Sequence, residues 1–166
     1  MTSYETQNQA NTSVWLTTAD LGSVRQYLLD LFCQLAYKEG DFVLSSGQRS
    51  SYYINGKQVT LHPQGALAIA RLLISQLPLD TQAVAGLTLG ADPIVSAVSV
   101  VSVYENRPIP ALIIRKEAKG HGTMAYIEGP TFAARYVCCS LRRRCHYWAI
   151  SFKSGREAYR GRIQSK

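Results

Sequence analysis

A strand–turn–helix–strand pattern in the middle of the sequence limits the possible folds more than any other feature. Residues 83–87 are the short apolar run AVAGL, which is typical of a buried parallel strand. The turn TLGADP follows, and Pro93 is suited to the first turn of a helix that extends to about Glu105. The run IPALIIR then supplies a second buried strand. Two such strands joined by a helix form a βαβ unit, so the pattern predicts an α/β protein with a parallel sheet.

The residues before this unit are predicted to form two helices and a hairpin. DLGSVRQYLLDLFCQLAYKEG has apolar residues at the 3.6-residue helical period, with Asp20 as the N-cap and Gly40 as the C-terminal stop. FVLSSGQRSSYYING favours two short strands around a Ser/Gly turn. HPQGALAIARLLISQL favours a second amphipathic helix.

The charge changes abruptly near residue 131 and marks a boundary. Residues 1–130 hold nine Lys/Arg and ten Asp/Glu, whereas residues 131–166 hold nine Lys/Arg and one Glu. A chain of 166 residues is expected to form one domain. We therefore predict a flexible N-terminus (1–19), one folded domain (20–131) and an atypical basic tail (132–166).

Composition also excludes several classes of protein. No apolar run reaches the roughly 18 residues of a membrane helix. The first 13 residues are polar and lack the pattern of a secretory signal, so we expect a cytoplasmic protein with no membrane partner. Three of the four cysteines lie in the tail without CxxC spacing, which favours free thiols over a zinc site.

Two loops with useful chemistry follow the two predicted parallel strands. The first, TLGAD, offers backbone amides and the carboxylate of Asp92, and the second offers the cationic or protonatable side chains of Arg115, Lys116, Lys119 and His121. Because ligands bind beyond the carboxyl ends of parallel strands, both loops are expected to face one crevice. Amides and an Arg/Lys cluster suit phosphate groups, and a carboxylate beside phosphates suits Mg²⁺. Taken alone, the charged run is also typical of a solvated surface loop. A single histidine in such a loop usually has no catalytic role.

Three motifs carry a specific resemblance. FVLSSGQRSSYYI, GLTLGADPI and IIRKEAKGHGTMAYIEG resemble, in order and spacing, the orotate phosphoribosyltransferases of the type I phosphoribosyltransferase class, over about residues 20–130. The resemblance implies a parallel-sheet type I phosphoribosyltransferase fold with a small N-terminal hood, incomplete at the C-terminus. It also implies transfer of the phosphoribosyl group from phosphoribosyl pyrophosphate to orotate. With Mg²⁺ as cofactor, that reaction gives orotidine monophosphate and pyrophosphate in pyrimidine (UMP) biosynthesis.

The resemblance also implies roles for individual residues. The third motif is similar to a flexible catalytic loop that closes over phosphoribosyl pyrophosphate, with loop 115–127 shared across a homodimer interface. Lys116, Lys119 and His121 are the implied catalytic residues. The implied contacts of phosphoribosyl pyrophosphate are Arg115, Lys116, Lys119, His121, Ala91 and Asp92. The implied orotate-side residues are Ser46, Gly47, Ser51, Tyr52 and Tyr53. Some relatives have Lys where this chain has Ser45, and no side chain is assigned as a dedicated metal ligand.

The tail departs from the family pattern, which continues with an apolar strand, an acidic pair and a Thr/Gly-rich loop for the ribose phosphate. Residues 135–156 instead are RYVCCSLRRRCHYWAISFKSGR. With one allowed codon set, a one-base change of frame converts RRCHYWAIS into Asp-Val-Val-Thr-Thr-Gly-Gln-Ser, and CCSLR into Val-Val-Val-Leu-Glu. The code leaves little freedom, since Trp148 before Ala149 forces Gly and Tyr147 before Trp148 allows only Thr or Ile. We interpret residues from about 132 onward as a frame-shifted phosphoribosyltransferase C-terminus and expect little transfer from this form.

An alternative interpretation treats the tail as a genuine nucleic-acid-binding segment. Its net charge of +8 and its interleaved aromatic residues suit phosphate contacts and base stacking. The protein would then be a non-catalytic or regulatory phosphoribosyltransferase-like protein. The tail matches no known nucleic-acid-binding module, so we favour the enzyme without a nucleic-acid partner.

Overall fold

The structure is a computed structural model that describes residues 14–44, 46–115, 127–130, 138–140, 150–153 and 157–160. The chain divides into two compact units, Met1–Leu72 and Leu73–Lys166, and each is described by itself. The described elements, in chain order, are α1 (residues 14–18), α2 (Leu21–Leu35), β1 (Tyr37–Val43), β2 (Arg49–Ile54), α3 (Lys57–Thr60), α4 (Pro63–Gln76), β3 (Ala83–Leu87), α5 (Asp92–Tyr104), β4 (Ala111–Ile114), β5 (Ile127–Glu128), β6 (Cys138–Ser140), β7 (Ile150–Lys153) and β8 (Glu157–Arg160).

The first long helix, α2, begins as its sequence predicts and ends earlier. The Asp20 carboxylate accepts hydrogen bonds from the Ser23 hydroxyl (2.6 Å) and the Ser23 backbone N–H (3.0 Å), which lower the pKa of Asp20. The helix ends at Leu35, and β1 begins at Tyr37. The predicted stop at Gly40 is therefore wrong. Gly40 has φ +154° and lies at an irregularity of the β1–β2 ladder, where glycine accommodates a bulge.

The first unit contains the predicted hairpin, with β1 and β2 antiparallel. Its core includes residues that the sequence placed in the flexible N-terminus, because Leu16 of α1 is fully buried with Val24 and Ala68. The Arg71 Nη1 group donates to the carbonyl oxygens of Leu16 and Ala19, at 2.8 Å each. The folded part of the chain therefore starts before residue 20.

The second unit contains a four-stranded sheet with the order β5-β4-β3-β6. β3 is parallel to β4 and to β6, and β5 is antiparallel to β4. Helix α5 connects β3 to β4 and packs on both strands, so the predicted βαβ unit and α/β class are confirmed. β7 and β8 form a separate antiparallel pair.

Close packing holds α5 on the sheet at two positions. A Cβ atom added at Gly86 would lie 2.4 Å from Ala91 Cβ and 3.0 Å from Val95 Cγ1, so the helix start contacts the β3 backbone directly. At the other end, the buried Ser102 hydroxyl accepts from the Ile109 N–H at 2.8 Å. In the described ranges, no helix is both long and apolar enough to cross a membrane.

Candidate functional site

The carboxyl ends of β3 and β4 lie side by side. The last paired residues are Leu87 and Ile114, and the Thr88 N–H donates to the Ile114 carbonyl oxygen at 2.9 Å. The loop at residues 88–91, which we call the Thr88 loop, therefore begins beside Arg115, the residue that follows β4. This confirms that the two predicted loops leave the same edge of the sheet, as parallel pairing requires.

The Thr88 loop turns tightly between β3 and α5. The Ala91 N–H donates to the Leu87 carbonyl oxygen at 3.2 Å, and the Thr88–Leu89 peptide bond is cis. The Ala91 side chain is buried against Gly86, and its N–H and carbonyl oxygen are bonded to Leu87 and Val95, so Ala91 shapes the loop. Apart from its chain neighbours, no described residue lies within 4 Å of the position that a Gly90 Cβ atom would occupy. The tip of the loop is therefore open to a ligand.

Asp92 occupies the first turn of α5, at the positive end of the helix dipole. Its Oδ1 atom is buried and has no hydrogen-bond partner among the residues that the structure describes. Buried carboxylate oxygens usually have a partner, so this atom suits a cation, a water molecule or a ligand hydroxyl. In the described ranges there is no cluster of three or more His, Cys, Asp or Glu residues that could hold a metal. A single carboxylate, that of Asp92, fits Mg²⁺ held mainly by substrate oxygens, which is how Mg²⁺ commonly binds beside phosphates.

Arg115 is the predicted cation that the structure describes at this edge. Its Nη1 atom lies 3.1 Å from Glu128 Oε1 on β5, and the two side chains are 38% and 37% exposed. The guanidinium therefore has a fixed partner and still contacts solvent. Lys116, Lys119 and His121 lie outside the described residues.

The predicted orotate-side residues lie in the β1–β2 hairpin of the first unit. Gly47 has φ +82°, a left-handed conformation that glycine adopts without a steric penalty, and its N–H donates to the Leu44 carbonyl oxygen at 2.8 Å. Ser46 Oγ accepts from the Gln48 N–H at 3.4 Å. These two residues form the exposed turn that the Ser/Gly pattern predicted.

Ser51, Tyr52 and Tyr53 are exposed residues of β2. Successive side chains of a strand point to opposite faces, so Ser51 and Tyr53 share one face and Tyr52 occupies the other. Tyr37 pairs with Ile54, and its ring stacks on Tyr52 of the same face (6.0 Å), whereas the Tyr53 ring lies near Phe42, beyond the irregularity of β1 (centroids 5.6 Å apart). The hairpin therefore brings Ser51 and Tyr53 together and separates Tyr52 from them.

Two further aromatic residues of this hairpin were not among the site residues predicted from the sequence. Tyr37 and Phe42 lie on β1 and cover the two tyrosines of β2. The Tyr37 hydroxyl donates to Glu39 at 3.2 Å, and its pKa is raised by partial burial and then by the Glu39 carboxylate. The strand sequence YKEGDFV has no apolar alternation that would have revealed them, and the helix predicted through Gly40 included Tyr37.

Comparison with known proteins gives a family for this arrangement. No family model matches the chain. The orotate phosphoribosyltransferase of Nostoc sp. is 80% identical to it over 127 residues, which cover 76% of this chain and 62% of the relative. The chain thus spans less than two thirds of the length of this curated relative.

Solved structures of orotate phosphoribosyltransferases have the same fold. The Mycobacterium tuberculosis enzyme in complex with Fe(III) dicitrate matches with a TM-score of 0.58 and 35% identity, over 70% of this chain and 65% of that one. The same enzyme in complex with 5-phospho-α-D-ribosyl 1-diphosphate matches with a TM-score of 0.52 and 31% identity, over 70% and 62%. Over about three quarters of its length this chain is therefore similar in sequence to the Nostoc orotate phosphoribosyltransferase, and its described part has an α/β fold similar to that of the Mycobacterium tuberculosis enzyme.

Proposed function

We propose that the chain is part of an orotate phosphoribosyltransferase, which transfers the 5-phosphoribosyl group from phosphoribosyl pyrophosphate to orotate. The products are orotidine 5′-monophosphate and pyrophosphate, in the de novo synthesis of UMP. The observation that carries this proposal is the 80% identity to the Nostoc enzyme over 127 residues. The shared edge of β3 and β4 supports it, because it presents backbone amides beside an arginine where a pyrophosphate group can bind.

The reaction breaks the bond between the ribose C1 atom and a pyrophosphate oxygen and forms a bond from C1 to an orotate nitrogen. Positive charge develops on the sugar, as in other glycosyl transfers, and negative charge develops on the departing pyrophosphate. We assign Arg115 and the backbone N–H groups of Leu89 and Gly90 to that pyrophosphate, since those of Thr88 and Ala91 are bonded within the sheet edge and the turn. Lys116, Lys119 and His121 are assigned to it from the motif alone. Fixed donors aimed at developing charge are commonly the largest contribution to catalysis.

Mg²⁺ is the proposed cofactor, and Asp92 would be the carboxylate that helps to hold it. When bound, the ion would neutralise part of the charge on the pyrophosphate group. The Asp92 Oδ1 atom, which has no hydrogen-bond partner in the described part of the chain, supports this role, and the open position beside Gly90 leaves room for substrate oxygens.

For orotate, we assign the hairpin face that carries Ser51 and Tyr53. Tyr53 and Phe42 present tilted rings 5.6 Å apart there, and aromatic surfaces of this kind suit a planar heterocycle. Ser46 and Gly47 would contribute from the turn. Tyr52 lies on the other face, so it would contact a different part of the substrate or stabilise the hairpin itself.

A homodimer that shares loop 115–127, in the cytoplasm, is proposed from the family resemblance. Exposed apolar side chains near the end of α5 support a covered surface, with Val100, Val103 and Tyr104 at 61%, 59% and 81% exposure. Analytical ultracentrifugation tests the assembly, with a dimer mass expected and a monomer at micromolar concentration contradicting it.

The proposal also includes a domain boundary near residue 131 and a change of reading frame after it. β6 pairs with β3 in parallel, so the residues after Ser140 follow a strand that ends at the same edge as β3. With the codon set given above, the shifted frame gives Leu-Glu-Asp there, whereas this chain has Leu141 followed by three arginines. The proposed ribose contacts are therefore missing from this form, and we expect it to transfer little.

The proposed function is tested on a chain returned to the family frame by a one-base deletion near codon 131. Formation of orotidine monophosphate is measured with orotate and, as a control, with uracil in its place. We expect turnover with orotate and at least about tenfold less with uracil, because a site that pairs polar substrate groups strongly rejects analogues lacking them. Equal turnover of both bases, or none with either, contradicts the assignment.

A further inference from the structure

An ion pair joins the two ends of the loop that follows β4. The chain leaves the sheet after Ile114 and returns at Ile127, and these two residues are paired across the antiparallel β4–β5 ladder. Immediately beside them, Arg115 Nη1 donates to Glu128 Oε1 at 3.1 Å. The ion pair therefore marks the point where the loop meets the sheet.

The sheet itself holds this ion pair in register. Glu128 is paired with Ile113, and Arg115 is two residues beyond Ile113, so both side chains lie on the same face. They are diagonal neighbours, a spacing that long side chains can bridge. The geometry of the pair is thus set by the β4–β5 ladder.

Gly129 lets the backbone that follows Glu128 pack closely on β4. It has φ +144°, and a Cβ atom there would lie 2.7 Å from Leu112 Cδ2 and 2.9 Å from the Ala111 carbonyl oxygen. The backbone after Glu128 is thus in direct contact with β4. A carboxylate attached to so constrained a backbone can hold its partner in one orientation.

We infer that Glu128 is a positioning residue that orients the Arg115 guanidinium toward a pyrophosphate group at this edge of the sheet. The inference rests on the proposed function and adds to it a residue to which no role in the reaction has been assigned. A guanidinium carries five N–H donors in a rigid plane, so one carboxylate can fix the plane while other donors face an anion. The Thr88 loop begins beside Arg115, and its open tip lies at the same edge.

The direction in which pyrophosphate affinity changes when Glu128 is removed distinguishes a positioning role from a purely electrostatic one. Glu128 places a negative charge beside a proposed anion site, so on charge alone its removal strengthens anion binding. Positioning predicts the reverse, because a guanidinium that has lost this ion pair is held less firmly and must lose more side-chain freedom when the anion binds.

The experiment is calorimetric titration of the 166-residue chain with inorganic pyrophosphate, without added metal. For Glu128→Ala we expect binding about three- to fivefold weaker, a modest effect because the pair is partly exposed. Glu128→Gln keeps an oxygen acceptor and should stay within about twofold of the parent. Glu105→Ala, which removes an equal charge at the end of α5, is the control and should not weaken binding.

The outcomes distinguish this inference from the proposed function. Loss of binding in Arg115→Ala together with unchanged or tighter binding in Glu128→Ala overturns the positioning role alone. No binding by the parent chain, or equal binding by Arg115→Ala, overturns both. A lower melting temperature in Glu128→Ala with an unchanged dissociation constant also overturns it, since that result describes a purely structural residue.

Should Glu128→Ala fail to fold, Glu128→Asp takes its place. It keeps the charge but shortens the side chain by one methylene, so charge alone predicts the affinity of the parent chain, whereas positioning predicts weaker binding than in the parent chain. Affinity equal to that of the parent chain overturns the inference.

Discussion

β3 is paired in parallel on both sides, with β4 on one side and β6 on the other, and the two flanks differ in the residues that come after each strand. β4 pairs through four residues and is followed by Arg115, which lies beside the Thr88 loop. β6 pairs through three residues, and the chain continues with Leu141 and three arginines. The family pattern has an acidic pair at that point.

This difference shows that a strand and a binding site place different requirements on the sequence. β3 is buried along most of its length, and its backbone needs a hydrogen-bonding partner on each side. Many sequences can supply that partner, because a ladder is formed by main-chain groups. A ribose-binding loop requires particular side chains. A change of frame can therefore leave the strand in place and remove the chemistry after it.

The largest effect of a point substitution is expected on the β4 flank. Lys116→Ala in the chain returned to the family frame should lower turnover about 10²–10³-fold, the usual cost of removing one donor to developing charge. Steady-state formation of orotidine monophosphate measures this effect, and Arg25→Ala on the exposed surface of α2 is the matched control. Equal turnover in the two variants would show that the motif after β4 is an ordinary solvated loop.

A smaller effect, on stability, is expected in the strand that both flanks share. Gly86→Ala should lower the free energy of unfolding by about 1–3 kcal/mol, because the added methyl overlaps Ala91 and overpacks the contact between β3 and α5. Urea denaturation of the 166-residue chain measures it. Gly90→Ala adds a methyl where nothing lies within 4 Å, so it should change stability much less. The opposite ranking would contradict the packing described here.

The smallest effect is expected on the β6 flank. Replacing Cys138 and Cys139 together by valine should change the free energy of unfolding by about 1 kcal/mol or less, since valine is a favourable strand residue. The same denaturation series measures this effect. A large loss of stability would mean that β6 depends on specific side chains, and the contrast between the two flanks would fail.

Local sequence signals predicted much of the fold. Ala83–Leu87 is a strand as expected, Pro93 lies in the first turn of α5, and Asp20 caps α2. Each of these depends on residues adjacent in sequence, through apolar runs, a missing amide proton or a capping carboxylate. Gly40 was ambiguous, because glycine both ends helices and accommodates bulges, and only the pairing with β2 distinguishes the two.

The candidate site was predictable where a topological rule applies. The rule that parallel strands end at one edge placed the Thr88 loop beside Arg115. The partner of Arg115 was not predictable, because it depends on the two-residue strand β5 and its register with β4. The separation of Tyr52 from Tyr53 follows from any strand through both residues, but the β1 ring that each tyrosine meets depends on the irregular β1–β2 register.

The central claim is that this chain keeps the pyrophosphate side of the enzyme and lacks the ribose-phosphate side after residue 131. The direct test compares orotidine monophosphate formation by the purified 166-residue chain with that by the chain returned to the family frame at codon 131, at equal concentration with Mg²⁺. We predict turnover from the frame-restored chain and little or none from the 166-residue form, because remote phosphate contacts position the reacting centre. Comparable turnover by the two chains would contradict the account.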